Sequence, residues 1–184
     1  MDDHPLVTWL PAWRRARIGA HPAVALTSFG LGCVGLAVLG RPTPLVVYNA
    51  SASAPLGLYR VTATARIRRS DLVLVRTPPQ VRRLAADRGY LPLGVPLIKR
   101  VVALGGERVC VKNRIVTVAN RPLATQLTAD RLGRPLPLWA GCRPLQADEV
   151  FLIMVDAPAS FDSRYFGPVS RRAILGRLTP LWLR

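Results

Sequence analysis

The chain has 184 residues, half of them hydrophobic, which supports one domain with a true core plus an appendage and excludes a disordered tail. Its formal charge of +16 is almost entirely arginine, with Lys99 and Lys112 as the only lysines. A basic surface attracts any polyanion, anionic lipid or nucleic acid alike, so charge alone selects no partner.

The first element is an apolar run, His21 to Gly40, twenty residues without a formal charge. As a helix it spans about 30 Å, the thickness of a hydrocarbon core. Gly30, Gly32 and Gly35 fall inside it, as small residues often do where membrane helices pack closely. Arg14, Arg15 and Arg17 precede the run, and flanking positive charge stays cytoplasmic. The expected organisation is therefore a cytoplasmic segment over 1–20, a transmembrane helix over 21–40 and an exported domain over 41–184. A buried globular helix and a cleavable signal peptide are the alternatives. Residues Ala37, Val38, Leu39 and Gly40 make a poor cleavage site, which favours a retained anchor. Nucleic-acid binding requires cytoplasmic exposure, so this topology expects membrane lipid and no nucleic acid as partner.

Beyond Pro42 and Pro44, short segments rich in Val, Ile and Leu alternate with turn residues: 57–62, 71–76, 96–104, 107–112, 114–118, 149–155 and 173–182. The exported domain reads as mainly β, with antiparallel strands. Gly105-Gly106 and Asn113-Arg114 each separate two candidate strands, consistent with hairpins. One short helix is expected over Gln80–Arg88, between Pro78-Pro79 and Gly89. Residues 119–147 carry Pro122, Pro135, Pro137, Pro144, Gly133 and Gly141, and read as a loop-rich excursion. Cys33 lies in the apolar run, whereas Cys110 and Cys142 lie beyond it, in an oxidising compartment under the expected topology. A Cys110–Cys142 disulfide is expected, with two buried free thiols as the alternative.

Elimination narrows the chemistry. The only histidines, His4 and His21, lie before or at the start of the apolar run, so none serves the exported domain. That removes a Ser-His-Asp triad, a Cys-His dyad and histidine-based zinc sites, and two cysteines alone cannot build a structural zinc centre. No metal or cofactor is expected. A nucleophile would need a lysine, a carboxylate or water as its base, because arginine stays protonated. In the strand around Lys99, alternation places the lysine with Leu97, Val101 and Ala103, while Arg100 faces away with Ile98 and Val102. Desolvation on that apolar face would lower the pKa toward that of a usable base. An edge lysine snorkelling to solvent is the alternative. Lys112, beside a turn, reads as a solvated surface charge. Ser51 and Ser53 stand one residue apart, and in an extended segment both would face the same side, one to attack and the other to support an oxyanion. A small-residue linker explains the same letters.

Taken together, these stretches resemble the type I signal peptidases, and within them the TraF-like conjugal transfer peptidases. The match runs from Tyr48 to Trp182. "SASAPLGLY" is similar to the family's nucleophile box, "LIKRVVALGGERV" to its lysine box and "SFDSRYFGPV" to its last box; Glu107 stands where Asp is common. The resemblance implies Ser53 as nucleophile, Lys99 as general base, and the Ser51 hydroxyl with the Ser53 N–H as oxyanion donors. It also implies that Ser160 hydrogen-bonds the lysine and that Asp162 and Arg164 form a structural ion pair. Gly167, Pro168 and the 173–182 strand favour the conjugal branch.

The fold so implied is an antiparallel β-sheet catalytic domain with a Ser-Lys site at the membrane-facing surface. The reaction is endoproteolysis of exported precursors through an acyl-enzyme, with prepilin of a conjugal, type IV secretion apparatus as the substrate class. In this branch the acyl-enzyme is released by water or captured by the pilin's own amino terminus to give a cyclic product. The implied location is the inner membrane, single pass, with the catalytic domain on the periplasmic side and other conjugation components as further partners. A non-catalytic tethered scaffold and a general preprotein signal peptidase are the rival readings.

Overall fold

The computed structural model describes residues 20–39, 44–63 and 66–184. They divide between two units, residues 20–39 in the first and the rest in the second. In the first, α1 runs from Ala20 to Leu39 and exposes Val24, Leu26, Phe29, Leu31, Val34 and Leu36. α1 coincides in place with the apolar run. Its described side chains, from Pro22 to Leu36, span roughly 22 Å at about 1.5 Å per residue. Among the described residues no helix is long and apolar enough to cross a membrane, so the span expected over 21–40 is not met by the described part of α1. The segment expected over 1–20 lies outside the described residues except for Ala20.

The second unit is built from antiparallel strands. In chain order they are β1 (Val46–Asn49), β2 (Gly57–Thr62), β3 (Leu72–Val75), β4 (Leu97–Leu104), β5 (Arg108–Lys112), β6 (Ile115–Val118), β7 (Arg121–Thr125), β8 (Gly141–Pro144), β9 (Glu149–Leu152), β10 (Val169–Ser170) and β11 (Ile174–Leu183). Helix α2 (Pro79–Asp87) follows β3, with Pro79 in its first turn, where a missing N–H costs nothing. A short α3 (Ser163–Phe166) precedes β10. One sheet has the order β1-β2-β11-β3-β4-β9-β10, and the other β7-β6-β5-β8.

The seven segments expected as strands are all strands, and the Asn113-Arg114 turn joins β5 to β6 as a hairpin. Both turn residues have positive φ, 51° and 66°, as the hairpin twist requires. Gly105-Gly106 does not make a hairpin. β4 pairs with β3 and β9, whereas β5 pairs with β6 and β8, so the chain changes sheets at this turn. A Cβ on Gly105 would sit 2.6 Å from the Gln146 carbonyl oxygen, and this close crossing is what selects glycine there.

The excursion over 119–147 contains two strands that its prolines and glycines conceal. Ala119 and Asn120, both with positive φ, turn β6 into β7, and Pro122 is tolerated because β7 is an edge strand. β8 forms the opposite edge and places Cys142 directly across from Cys110, with which it forms the expected disulfide.

Three apolar clusters hold the unit together. One gathers Val73, Val75, Leu97, Val101, Val150 and Leu152 from the centre of the larger sheet, with Phe166. A second joins Val102, Ala103, Phe151 and Ile153 to Val109 and Val116 of the smaller sheet. A third, Tyr59, Val61, Leu74 and Leu178, lies where β2, β3 and β11 meet. The strict alternation expected along β4 fails after Val101. A register shift between Val101 and Ala103 against β9 sends Val102 and Ala103 into the same cluster, which is how β4 serves both cores.

Candidate active site

Lys99 lies on β4, paired with Val73 of β3, in a strand flanked by neighbours on both sides. It is 2% exposed. At that burial, with Nζ turned onto two serine hydroxyls, the ammonium does not extend into solvent, so the snorkelling alternative falls. Its Nζ donates to Ser160 Oγ at 2.7 Å and to Ser53 Oγ at 3.4 Å. Burial pulls the lysine down from the ordinary 10.5 to about 8; the Asp162 carboxylate partly restores the charged form and the Arg164 guanidinium opposes it.

Ser160 owes its place to a buried ion pair. Arg164 Nη2 and Nε reach Asp162 Oδ2 and Oδ1, both at 2.8 Å, with the two side chains 1% and 0% exposed. The guanidinium also donates to the carbonyls of Ala157 at 2.9 Å and Pro158 at 3.1 Å, while Asp162 Oδ2 accepts the Met154 N–H at 3.1 Å. The pair thus ties down the turn from Met154 to Ser160, whose last residue touches Lys99. Asp162 also caps α3 by accepting the Arg164 N–H.

Ser51 and Ser53 are not in an extended segment. Residues 51–54 form a turn between β1 and β2, and it is this turn that brings the two hydroxyl oxygens within 3.1 Å of each other. Tyr59 OH fixes the far side by donating to the Pro55 carbonyl at 2.7 Å. Gly57, at φ 149°, allows β11 to pass, since a Cβ would lie 2.1 Å from the Trp182 carbonyl oxygen. Among the described residues the Ser53 N–H has no protein acceptor, so it is available to a ligand.

A residue that sequence reasoning missed organises this turn. Asn49, 5% exposed, ends β1 and bonds the loop that follows. Its Nδ2 donates to the carbonyls of Ser51, Ala54 and Pro55, and its Oδ1 accepts from the Ser51 N–H and hydroxyl. The available signal was an asparagine two residues before a serine in a small-residue stretch, the pattern of an Asx turn.

A groove of about 1060 Å³ opens over Ser53 and Lys99. Its walls near them include Val47, Leu74, Ile98 and Pro96, and Tyr90 and Phe161 lie further along. The groove sets these apolar walls beside the polar groups of Ser51, Ser53, Lys99 and Ser160. Glu107 stands away from this site. It accepts the Leu104 N–H at 2.7 Å and pairs with Arg69, a turn role matching its position in the lysine box.

The β domain thus sets a buried lysine against a serine hydroxyl with no histidine in residues 41–184. The chain belongs to the signal peptidase, peptidase S26 family, whose profile matches residues 20–182. It is 35% identical over 177 residues to the plasmid transfer protein TraF of Escherichia coli, covering 90% of this chain and 98% of that protein. The conjugal transfer protein TraF of Agrobacterium fabrum is 34% identical over 165 residues, covering 83% and 93%. The probable conjugal transfer protein TraF of Sinorhizobium fredii is 35% identical over 183 residues, covering 94% and 93%. A crystal structure of a signal peptidase I from Enterococcus faecalis matches 64% of this chain and 100% of its own, at 18% identity and a TM-score of 0.39.

Proposed function

We propose that the chain is a membrane-anchored serine endopeptidase with Ser53 as nucleophile and Lys99 as base, acting on exported precursors and chiefly on conjugative prepilin. The observation that carries this reading is the Lys99 Nζ, 3.4 Å from Ser53 Oγ in a site buried enough to hold the amine near 8. Neutral Lys99 takes the Ser53 proton as Oγ attacks the scissile carbonyl. The Ser53 N–H and the Ser51 hydroxyl receive the developing oxyanion, and the Lys99 ammonium returns its proton to the leaving amine. Water, deprotonated by the same amine, then releases the acyl-enzyme. If the precursor's own amino terminus attacks instead, the product is cyclic. Ser160 and the Asp162–Arg164 pair hold the lysine in place.

The pilin substrate rests on the TraF relatives, which are named for plasmid and conjugal transfer. General preprotein cleavage would use the same residues. Anchorage in the inner membrane, with residues 41–184 on the periplasmic side, rests on the uncharged 21–40 run, its arginine flank and the apolar side chains that α1 exposes. The Cys110–Cys142 disulfide accords with an oxidising compartment. Co-expression with a prepilin tests the site: Ser53→Ala and Lys99→Ala each lower processing by more than about 1000-fold while the fold, read by circular dichroism, persists. Normal processing by either variant rejects the dyad.

A further inference from the structure

The orientation of the Asn49 amide follows from its partners. Nδ2 faces three carbonyl oxygens, those of Ser51 at 3.0 Å, Ala54 at 2.9 Å and Pro55 at 3.0 Å. An amide oxygen in that place would repel all three, so Oδ1 is the atom turned toward Ser51. It accepts the Ser51 N–H at 3.1 Å and lies 2.9 Å from Ser51 Oγ. Because an amide oxygen only accepts, the single Ser51 hydroxyl proton lies in this contact. The 3.1 Å contact between the serine hydroxyls then has one arrangement left, in which Ser53 donates and Ser51 accepts. Lys99, as an ammonium, donates to Ser53 Oγ from the other side. The four groups form a chain with one direction, from Lys99 through Ser53 and Ser51 to Asn49.

We propose that Asn49 is a positioning residue that acts through Ser51 to set where the Ser53 hydroxyl proton points: at Ser51 while Lys99 is charged, and at Lys99 Nζ only once that amine is neutral. The proposal rests on the reading of Ser53 and Lys99 as nucleophile and base. Two consequences follow from the direction of the chain. Ser51 can donate to an oxyanion only by leaving Asn49 Oδ1, so oxyanion support is engaged by substrate rather than standing ready. The chain also supports the ammonium, because a hydroxyl that passes its own proton onward is a better acceptor. The charged groups bearing on Lys99, Asp162 in favour of the ammonium and Arg164 against it, lie on a different part of the chain and are untouched by changes at 49 or 51.

With only two lysines in the sequence, the test can read Lys99 directly. Full-length protein carrying Lys112→Arg is labelled with 13Cε-lysine in detergent micelles and titrated by NMR from about pH 6 to about pH 11. Ser51→Ala and Asn49→Ala each remove the end of the chain, and each lowers the Lys99 midpoint by about half a unit. The double variant shifts no further than Ser51→Ala alone, since both act on one path. A midpoint that is unchanged or raised in Ser51→Ala overturns the proposal; a rise means that Ser51 donates to Ser53 instead. A double variant shifted by the sum of the two also overturns it, because the residues then act separately. Ser51→Ala decides the direction of the chain even if Asn49→Ala does not fold. The readout needs no turnover, so failure of the dyad itself appears separately, as a Ser53→Ala enzyme that still processes prepilin.

Discussion

Replacing Lys99 with methionine tests the energetics of the site more sharply than loss of activity does. Burial lowers the amine from the ordinary 10.5 to about 8. Between these values the unfolded chain holds the proton and the folded chain does not, so stability rises with pH across that window. Below about pH 8 the folded domain bears the whole penalty, about 3 kcal/mol at about 1.4 kcal/mol per pH unit. Methionine fills nearly the same volume without a charge, but it forfeits the 2.7 Å bond to Ser160, about 1 kcal/mol. The variant should therefore gain about 2 kcal/mol at neutral pH, a Tm rise of about 6 °C for a domain of this size. Only about a unit above the ordinary lysine value, at about pH 11.5, is the native lysine neutral in both states, and there the gain gives way to a loss of about 1 kcal/mol. Thermal melts of the purified protein at the two pH values read this directly. A gain of equal size at both, or a loss at neutral pH, would refute the assignment of the penalty to a buried ammonium.

Other expectations follow from the same contacts. Arg164→Met leaves the Asp162 carboxylate buried without its counter-charge and should cost about 3–5 kcal/mol in chemical denaturation; a change below about 1 kcal/mol would contradict the role given to the pair. Reducing the Cys110–Cys142 disulfide, which closes a loop of sequence separation 32, should lower stability by about 3–4 kcal/mol, measured by denaturation with and without reductant. The value of kcat/KM for precursor cleavage should rise with pH to a plateau, with a midpoint near the lysine's value of about 8. A rate still climbing past about pH 10 would mean that the base is not desolvated.

Much of this site could be read from the letters because its chemistry forces unusual residues into view. A lysine between Leu97 and Val101, in a chain that uses arginine almost everywhere else, marks a charge placed where burial acts on it. Asp162 and Arg164, two residues apart, are close enough in sequence for their box to be recognised. Asn49 was only half legible: its spacing to Ser51 offers an Asx turn, but nothing in it announces that one amide will also meet the carbonyls of Ala54 and Pro55. Gly105-Gly106 misled for a related reason. A two-residue gap between apolar runs suits a hairpin, yet the same gap serves a chain crossing between sheets, and only the pairing of β5 with β8 separates the two. In the 119–147 excursion, Pro122 and Gly141 concealed β7 and β8 because edge strands tolerate residues that interior strands exclude. The register shift after Val101 is likewise set by packing against β9, beyond the reach of simple alternation.

The most direct test of Ser53 as nucleophile is intact-mass analysis of enzyme quenched in acid during turnover of a prepilin, followed by peptide mapping. An acyl adduct on the peptide containing Ser53, absent in Lys99→Ala, is the expected result. An adduct mapped to any other residue, or brisk processing with no adduct in either enzyme, would contradict it.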